Sequence, residues 1–208
     1  MSRSVVFVPS APMLLPEYTG RTDAAAALRE RAVEAIRSAG EGDGSDGVVL
    51  VVATDREQRG TRPPLGQRVG THLAGLTGAR VADVVTVAWD ASLEECRALG
   101  QQLASASPGA TLVVVADGSA RRGEKAPGHL DERALVVDEA LVGALRDADP
   151  DALFALDPAL CAELLVHGRA PLQVAAAVLA ERPGVVAGDV YSEDPFGVLH
   201  VVAVLTTP

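Results

Sequence analysis

Two kinds of apolar pattern alternate along the chain. Short runs rich in β-branched residues, at Val5 to Val8, Val48 to Val52, Val81 to Trp89 and Leu112 to Ala116, stop abruptly in small or polar residues. Such runs read as buried strands. Between them apolar residues recur at helical spacing. Thr22 is placed as an N-cap, and Ala25, Leu28, Ala32, Ala35 and Ile36 then share a face that excludes Arg29, Glu30, Glu34 and Arg37. Gly40 to Gly47 reads as a polar, Gly-rich turn, and the polar stretch at 57–64 leads into a helix at Leu65 to Leu76 that carries His72. Ser92-Leu93-Glu94-Glu95 matches a capping box, and the helix it starts is expected to bury Leu93, Cys96, Leu99 and Leu103.

From Asp131 to Arg182 the helical pattern is nearly continuous: Leu135 to Leu145, a break at Asp149-Pro150, Leu153 to Leu156, Pro158 to Val166, and Leu172 to Ala180. Strand character returns at Val185 to Tyr191 and Val198 to Leu205. Asp194-Pro195-Phe196-Gly197 lies between them as a turn, so a terminal hairpin is expected. Strands alternating with helices predict an α/β fold, a single three-layer domain over residues 1–208 with a mostly parallel sheet, helices on both faces and a C-terminal strand pair. Parallel strands deliver their exits to one edge. The residues after three of these runs, Ser10, Asp55 and Asp117, are therefore expected around a single crevice.

Composition narrows what that crevice can serve. The 208 residues are 48% hydrophobic but only 3% aromatic, and 18 Lys plus Arg against 28 Asp plus Glu leave a formal charge of -10. An acidic surface without a basic stripe repels a phosphate backbone, so nucleic acid is not an expected partner. Cys96 and Cys161 show no CxxC spacing, which suggests neither a zinc site nor a disulfide framework. The run at Val5 to Val8 ends at Pro9, and no segment reaches about 18 uninterrupted apolar residues, so no membrane partner is expected and a cytoplasmic location is. GxSxG, P-loop and HExxH motifs are absent, and no GxGxxG follows a strand.

Four stretches, taken in order, resemble the class III extradiol dioxygenase superfamily, the LigB-like fold that includes the Memo proteins. Pro9-Ser10-Ala11-Pro12-Met13-Leu14-Leu15-Pro16-Glu17 is similar to that family's Pro-His-Pro-Pro-Leu-Leu type of first-strand exit. Ala116-Asp117-Gly118-Ser119-Ala120 resembles its Gly-Asp-Leu-Ser-His motif. His167-Gly168-Arg169-Ala170-Pro171-Leu172 resembles a Cys-Gly-Arg-x-Pro-Ile motif whose first position can ligate metal. The closing Asp194-Pro195-Phe196-Gly197-Val198 is common among LigB-like relatives.

Family enzymes hold ferrous iron on two histidines and a third ligand, leaving open positions for a catechol-type substrate and dioxygen, while a further histidine acts as acid and base. The resemblance places the first ligand on Ser10, the second near Asp55, the third on His167 and the acid/base group on Ala120. Serine is a poor iron ligand, and alanine cannot transfer a proton. What the resemblance implies is a crevice lined by Ser10, Pro12, Asp55, Asp117, Ser119, Ala120 and His129. Asp55 and His167 are the candidate metal ligands, and no residue is assigned as catalytic. Each has a plainer reading: Asp55 as a loop cap, His167 as an imidazole at a helix C-terminus, Asp117 and Ser119 as organisers of loop backbone, and Arg121, Arg122 and Lys125 as a solvated basic cluster. His72, His129 and His200 show no short metal-motif spacing and read as structural.

Two functions follow. The first is a LigB-like protein whose iron site has degenerated and whose crevice binds a small molecule or a protein partner, without a cofactor. The second is an active non-heme dioxygenase or oxidoreductase with substituted ligands around Fe(II) or another divalent metal. A purely structural role is the third class, and a homodimer is what the resemblance allows.

Overall fold

The structure, a computed structural model, describes residues 3–40, 47–57, 60–107 and 109–207. Most of the Gly-rich turn expected at 40–47 lies outside the described residues. Six strands form one sheet: β1 (Arg3–Val8), β2 (Val48–Ala53), β3 (Val81–Val87), β4 (Thr111–Val115), β5 (Val186–Glu193) and β6 (His200–Thr207), in the order β3-β2-β4-β1-β6-β5. The first four are mutually parallel, with Val51 and Phe7 both paired to Val114. The terminal pair β5 and β6 is antiparallel, and β6 also runs antiparallel to β1.

Helices cover both faces, which is why β4, at the centre of the parallel strands, is buried at every position and reads as an unbroken apolar run. On one face α1 (Ala26–Gly40) and α2 (Leu65–Thr77) pack Leu28, Ile36, Val69 and Leu73 against Val6, Leu50 and Val113. On the other, α3 (Leu93–Ala106), α4 (Arg133–Arg146), α5 (Pro150–Phe154), α6 (Pro158–Glu163) and α7 (Arg169–Ala180) meet Val5, Val49, Leu112 and Val114. β3 is an edge strand, and its solvated side accounts for the exposure of Ala82, Asp83 and Thr86. Helix α7 is buried along Arg169 to Leu179 because α3 lies close against it: a Cβ at Gly100 would sit 2.5 Å from Ala177 Cβ and 2.5 Å from the Val174 carbonyl oxygen.

Several boundaries depart from the sequence pattern for local reasons. Asp23, not Thr22, organises the start of α1, accepting a hydrogen bond from the Ala25 amide at 3.1 Å while its other oxygen pairs with Arg29. The Ser92–Glu95 capping box forms as expected, but Leu93 beside it is 38% exposed. Helix α6 stops at Glu163, short of Val166, because Leu165 turns into the left-handed region at φ 57°. No helix among the described residues is long and apolar enough to cross a membrane. Both cysteines are free and buried, and burial pushes the Cys161 thiol up to about 11.

Candidate functional site

The chain leaves β1 and β2 toward the face carrying α1 and α2, and leaves β4 toward the opposite face. Exits that diverge around a central strand open a crevice at the carboxyl ends, where ligands bind in open α/β sheets. A cavity of about 230 Å³ lies there, with Ser10 from the β1 exit, Thr54, Asp55 and Arg56 from the β2 exit, and His167 and Gly168 from the turn before α7 on its walls.

Asp117 organises the β1 side. Both the backbone amide and the hydroxyl of Ser10 donate to Asp117 Oδ2, at 3.0 and 2.7 Å. The other oxygen, Oδ1, accepts from His200 Nδ1 at 2.6 Å. This array ties β1, β4 and β6 together at their site ends, and an Asp117–His200 backbone bridge extends the β4 exit against β6. Both side chains are nearly sealed from solvent, at 11% exposure for Asp117 and 4% for His200. Burial opposes charge on His200, but the hydrogen bond and negative charge of Asp117 outweigh it and hold the imidazole above its ordinary pKa.

A group whose pKa is raised on folding contributes stability that is fully present below its unfolded value, about 6.5, and is lost as pH rises through the folded value. We therefore expect wild-type stability, relative to His200→Gln, to be greatest below about pH 6 and to decline through the neutral range. Urea titrations of both proteins between pH 5 and 9 would measure this. A difference between them that does not vary with pH would show that His200 carries no folding-linked proton.

On the β2 side, Asp55 Oδ1 accepts from the Leu65 amide at 3.0 Å and so caps the start of α2. His167 shares the cavity but does not sit at a helix C-terminus, as its sequence context suggested. With α6 ending at Glu163 and α7 beginning at Arg169, it lies in the turn preceding a helix. Although the residue is exposed overall, atoms crowding its ring push its pKa down, and the Arg56 cation adds to this. Gly168 permits the close approach: a Cβ there would lie 2.6 Å from Ala116 Cβ and 2.6 Å from the Asp117 carbonyl oxygen.

The other expected site residues sit apart from this cavity. Pro12 is exposed at the start of a short 3-10 turn, Pro12–Leu14. Ser119 is fully buried, its hydroxyl donating to the Leu164 carbonyl at 2.7 Å and its amide to Asp138 at 2.8 Å. Ala120 accepts a backbone hydrogen bond from Gly128, and His129 is exposed with its Nδ1 3.4 Å from the Glu124 carbonyl oxygen. Arg121 and Arg122 pair with Asp131, Asp138 and Asp194. Sequence reasoning treated His200 as purely structural and gave Arg56, Trp89 and Arg169 no role. The only local signal for His200 is a polar residue opening the apolar run of β6.

These donors do not fit a facial ferrous site. The Ser10 hydroxyl is committed to Asp117 and one Asp55 oxygen to the Leu65 amide. Among the described residues no group of three or more His, Cys, Asp or Glu side chains could hold a metal ion. Compared with known proteins, the chain matches no family model and no curated relative.

Proposed function

We propose that this chain is a divergent LigB-like protein whose strand-end crevice binds a small molecule or a partner without opening aromatic rings. The observation that carries the reading is the engagement of Ser10. At the position where the resemblance requires an iron-binding imidazole, a hydroxyl donates its proton to Asp117. It therefore has neither the charge nor the strong donor character that an open iron site needs. Asp55 and His167 alone would leave a two-ligand site. Ala120 stands where the acid/base histidine is expected, and a missing acid/base group typically costs about 10²- to 10⁴-fold in rate.

Protein purified without chelator is expected to carry no stoichiometric iron and to consume no oxygen with catechols, even after incubation with ferrous iron. Iron retained at one equivalent, with catechol-dependent oxygen uptake that His167→Ala abolishes, would establish the alternative of an active metal-dependent dioxygenase.

A further inference from the structure

A second cavity, of about 210 Å³, has Trp89, Asp90, Ala162, Val166 and Arg169 on its walls. One residue of the first cavity touches the wall of the second. Arg56 lies with its guanidinium carbon 4.2 Å from the centroid of the Trp89 ring, and its Nη2 donates to the Ala162 carbonyl at 2.7 Å. Both of those partners belong to the second cavity. Each chamber alone is smaller than the roughly 300–1,000 Å³ usual for a ligand site, and together they reach that range.

Among the described residues, neither Arg56 nor Arg169 pairs with an acid. Arg29, Arg68, Arg122 and Arg133 each pair with a carboxylate. Arg169 is only 3% exposed, yet its Nη1 donates to the Ala91 carbonyl at 2.5 Å and to Gln173 Oε1 at 3.0 Å, and its Nη2 to the Trp89 carbonyl at 3.1 Å. It is also the first residue of α7, where a cation is opposed by the helix dipole. Arg56 keeps a buried Nε without any hydrogen-bond partner. Asp90, on the wall of the second cavity, is exposed and makes no ion pair with either arginine among the described residues. Carbonyl oxygens satisfy hydrogen bonds but do not neutralise charge, and a buried cation without a counter-ion is costly. One such cation, Arg169, and a second, half-buried one, Arg56, meet at a single tryptophan in a chain of net charge -10, and an anionic ligand would complete that arrangement.

We propose that Arg56 and Arg169 form a two-point receptor for the oxyanion of a small molecule, a carboxylate or a phosphate, with Arg56 acting as a movable wall between the two cavities. This rests on the reading of the crevice as a ligand site and names the class of ligand it takes. An arriving anion competes with the Ala162 carbonyl for Arg56; the side chain then leaves the face of Trp89, and the chambers merge.

Trp89 is the single tryptophan of the chain, so its fluorescence reports on the site directly. Hexanoate and inorganic phosphate serve as probes, with hexanamide as the neutral counterpart. Saturable changes in Trp89 emission are expected with at least one of the two anions, weakened by added salt and absent with hexanamide. Which anion binds distinguishes carboxylate from phosphate. Arg56→Gln should weaken binding about tenfold or more, and Arg56→Lys, which keeps the charge but not the planar stack, by less. Arg169→Gln should act in the same direction; because that site is buried, the Arg56 variants decide if it fails to fold. Equal binding of hexanoate and hexanamide would overturn the oxyanion receptor while leaving a binding crevice. Silence with both anions would overturn it as well. Catechol-dependent oxygen uptake would instead remove the non-catalytic reading on which it stands.

Discussion

Asp117→Ala is expected to lower folding stability by about 3–5 kcal/mol at pH 6, because it removes one partner of a buried charged pair and leaves the other in place. His200 is 3% exposed, and among the described residues the hydrogen bond to Asp117 Oδ1 is its only ion-pairing contact. The same truncation releases the Ser10 hydroxyl and amide, which both donate to Oδ2. Ser10, which faces the cavity, thereby loses its side-chain tie to the β4 exit, while the backbone bond from the Ala116 amide to the Val8 carbonyl remains. Asp117→Asn retains the size and one acceptor oxygen, so it should fall between wild type and Asp117→Ala. In both variants the His200 pKa should drop from its raised value, since the charge that opposes its burial penalty is gone. Urea denaturation gives the stabilities, and an NMR titration of the imidazole gives the pKa. An Asp117→Ala protein within about 0.5 kcal/mol of wild type, the range of an ordinary surface substitution, would mean that the array does not hold the site ends of β1, β4 and β6 together.

The reason such a pair escapes a reading of the sequence is separation along the chain. His200 lies 83 positions from Asp117, Ser10 lies 107 from it, and Arg56 reaches the Ala162 carbonyl across 106. No local periodicity encodes those meetings. The strands, by contrast, are legible because burial on both faces of a parallel sheet imposes unbroken apolar runs. The shared edge of Ser10, Asp55 and Asp117 then follows from parallel pairing alone. Where the pattern overshot, a tertiary contact had claimed the residue. Trp89 extends the apolar run of β3, but the strand ends at Val87, and Trp89 instead donates its amide to Thr54 and takes Arg56 on its ring. The helix expected to reach Val166 looked continuous because Leu164, Leu165 and Val166 are apolar. Their role is to turn the chain so that His167 and Gly168 meet the β4 exit. Periodicity cannot distinguish a buried turn from the last turn of a helix when both are apolar.

Gly168→Ala tests that turn, and it is expected to cost about 1–3 kcal/mol and to displace His167 from the crevice. Gly168 has φ -79°, a conformation open to any residue, so the penalty is purely steric. The added methyl would lie 2.6 Å from Ala116 Cβ, 2.6 Å from the Asp117 carbonyl oxygen and 2.7 Å from the Asp117 amide nitrogen. These atoms cannot easily retreat. The Ala116 amide is bonded to the Val8 carbonyl and the Gly118 amide to the Leu199 carbonyl, both at 2.9 Å, which anchors the β4 exit to β1 and to the start of β6. The 167–168 turn must therefore move outward and carry His167 with it. Gly143→Ala in α4 is the control, since nothing lies within 4 Å of its added Cβ. There the substitution should stabilise the protein by about 0.4–1 kcal/mol through the unfolded chain. Urea midpoints of the two variants should move in opposite directions. The His167 imidazole should shift toward an ordinary pKa in Gly168→Ala alone, as it leaves the atoms and the Arg56 charge that depress it. If Gly168→Ala unfolds at the wild-type midpoint with the His167 pKa unchanged, the turn does not depend on that close approach, and the position of His167 in the crevice has some other cause.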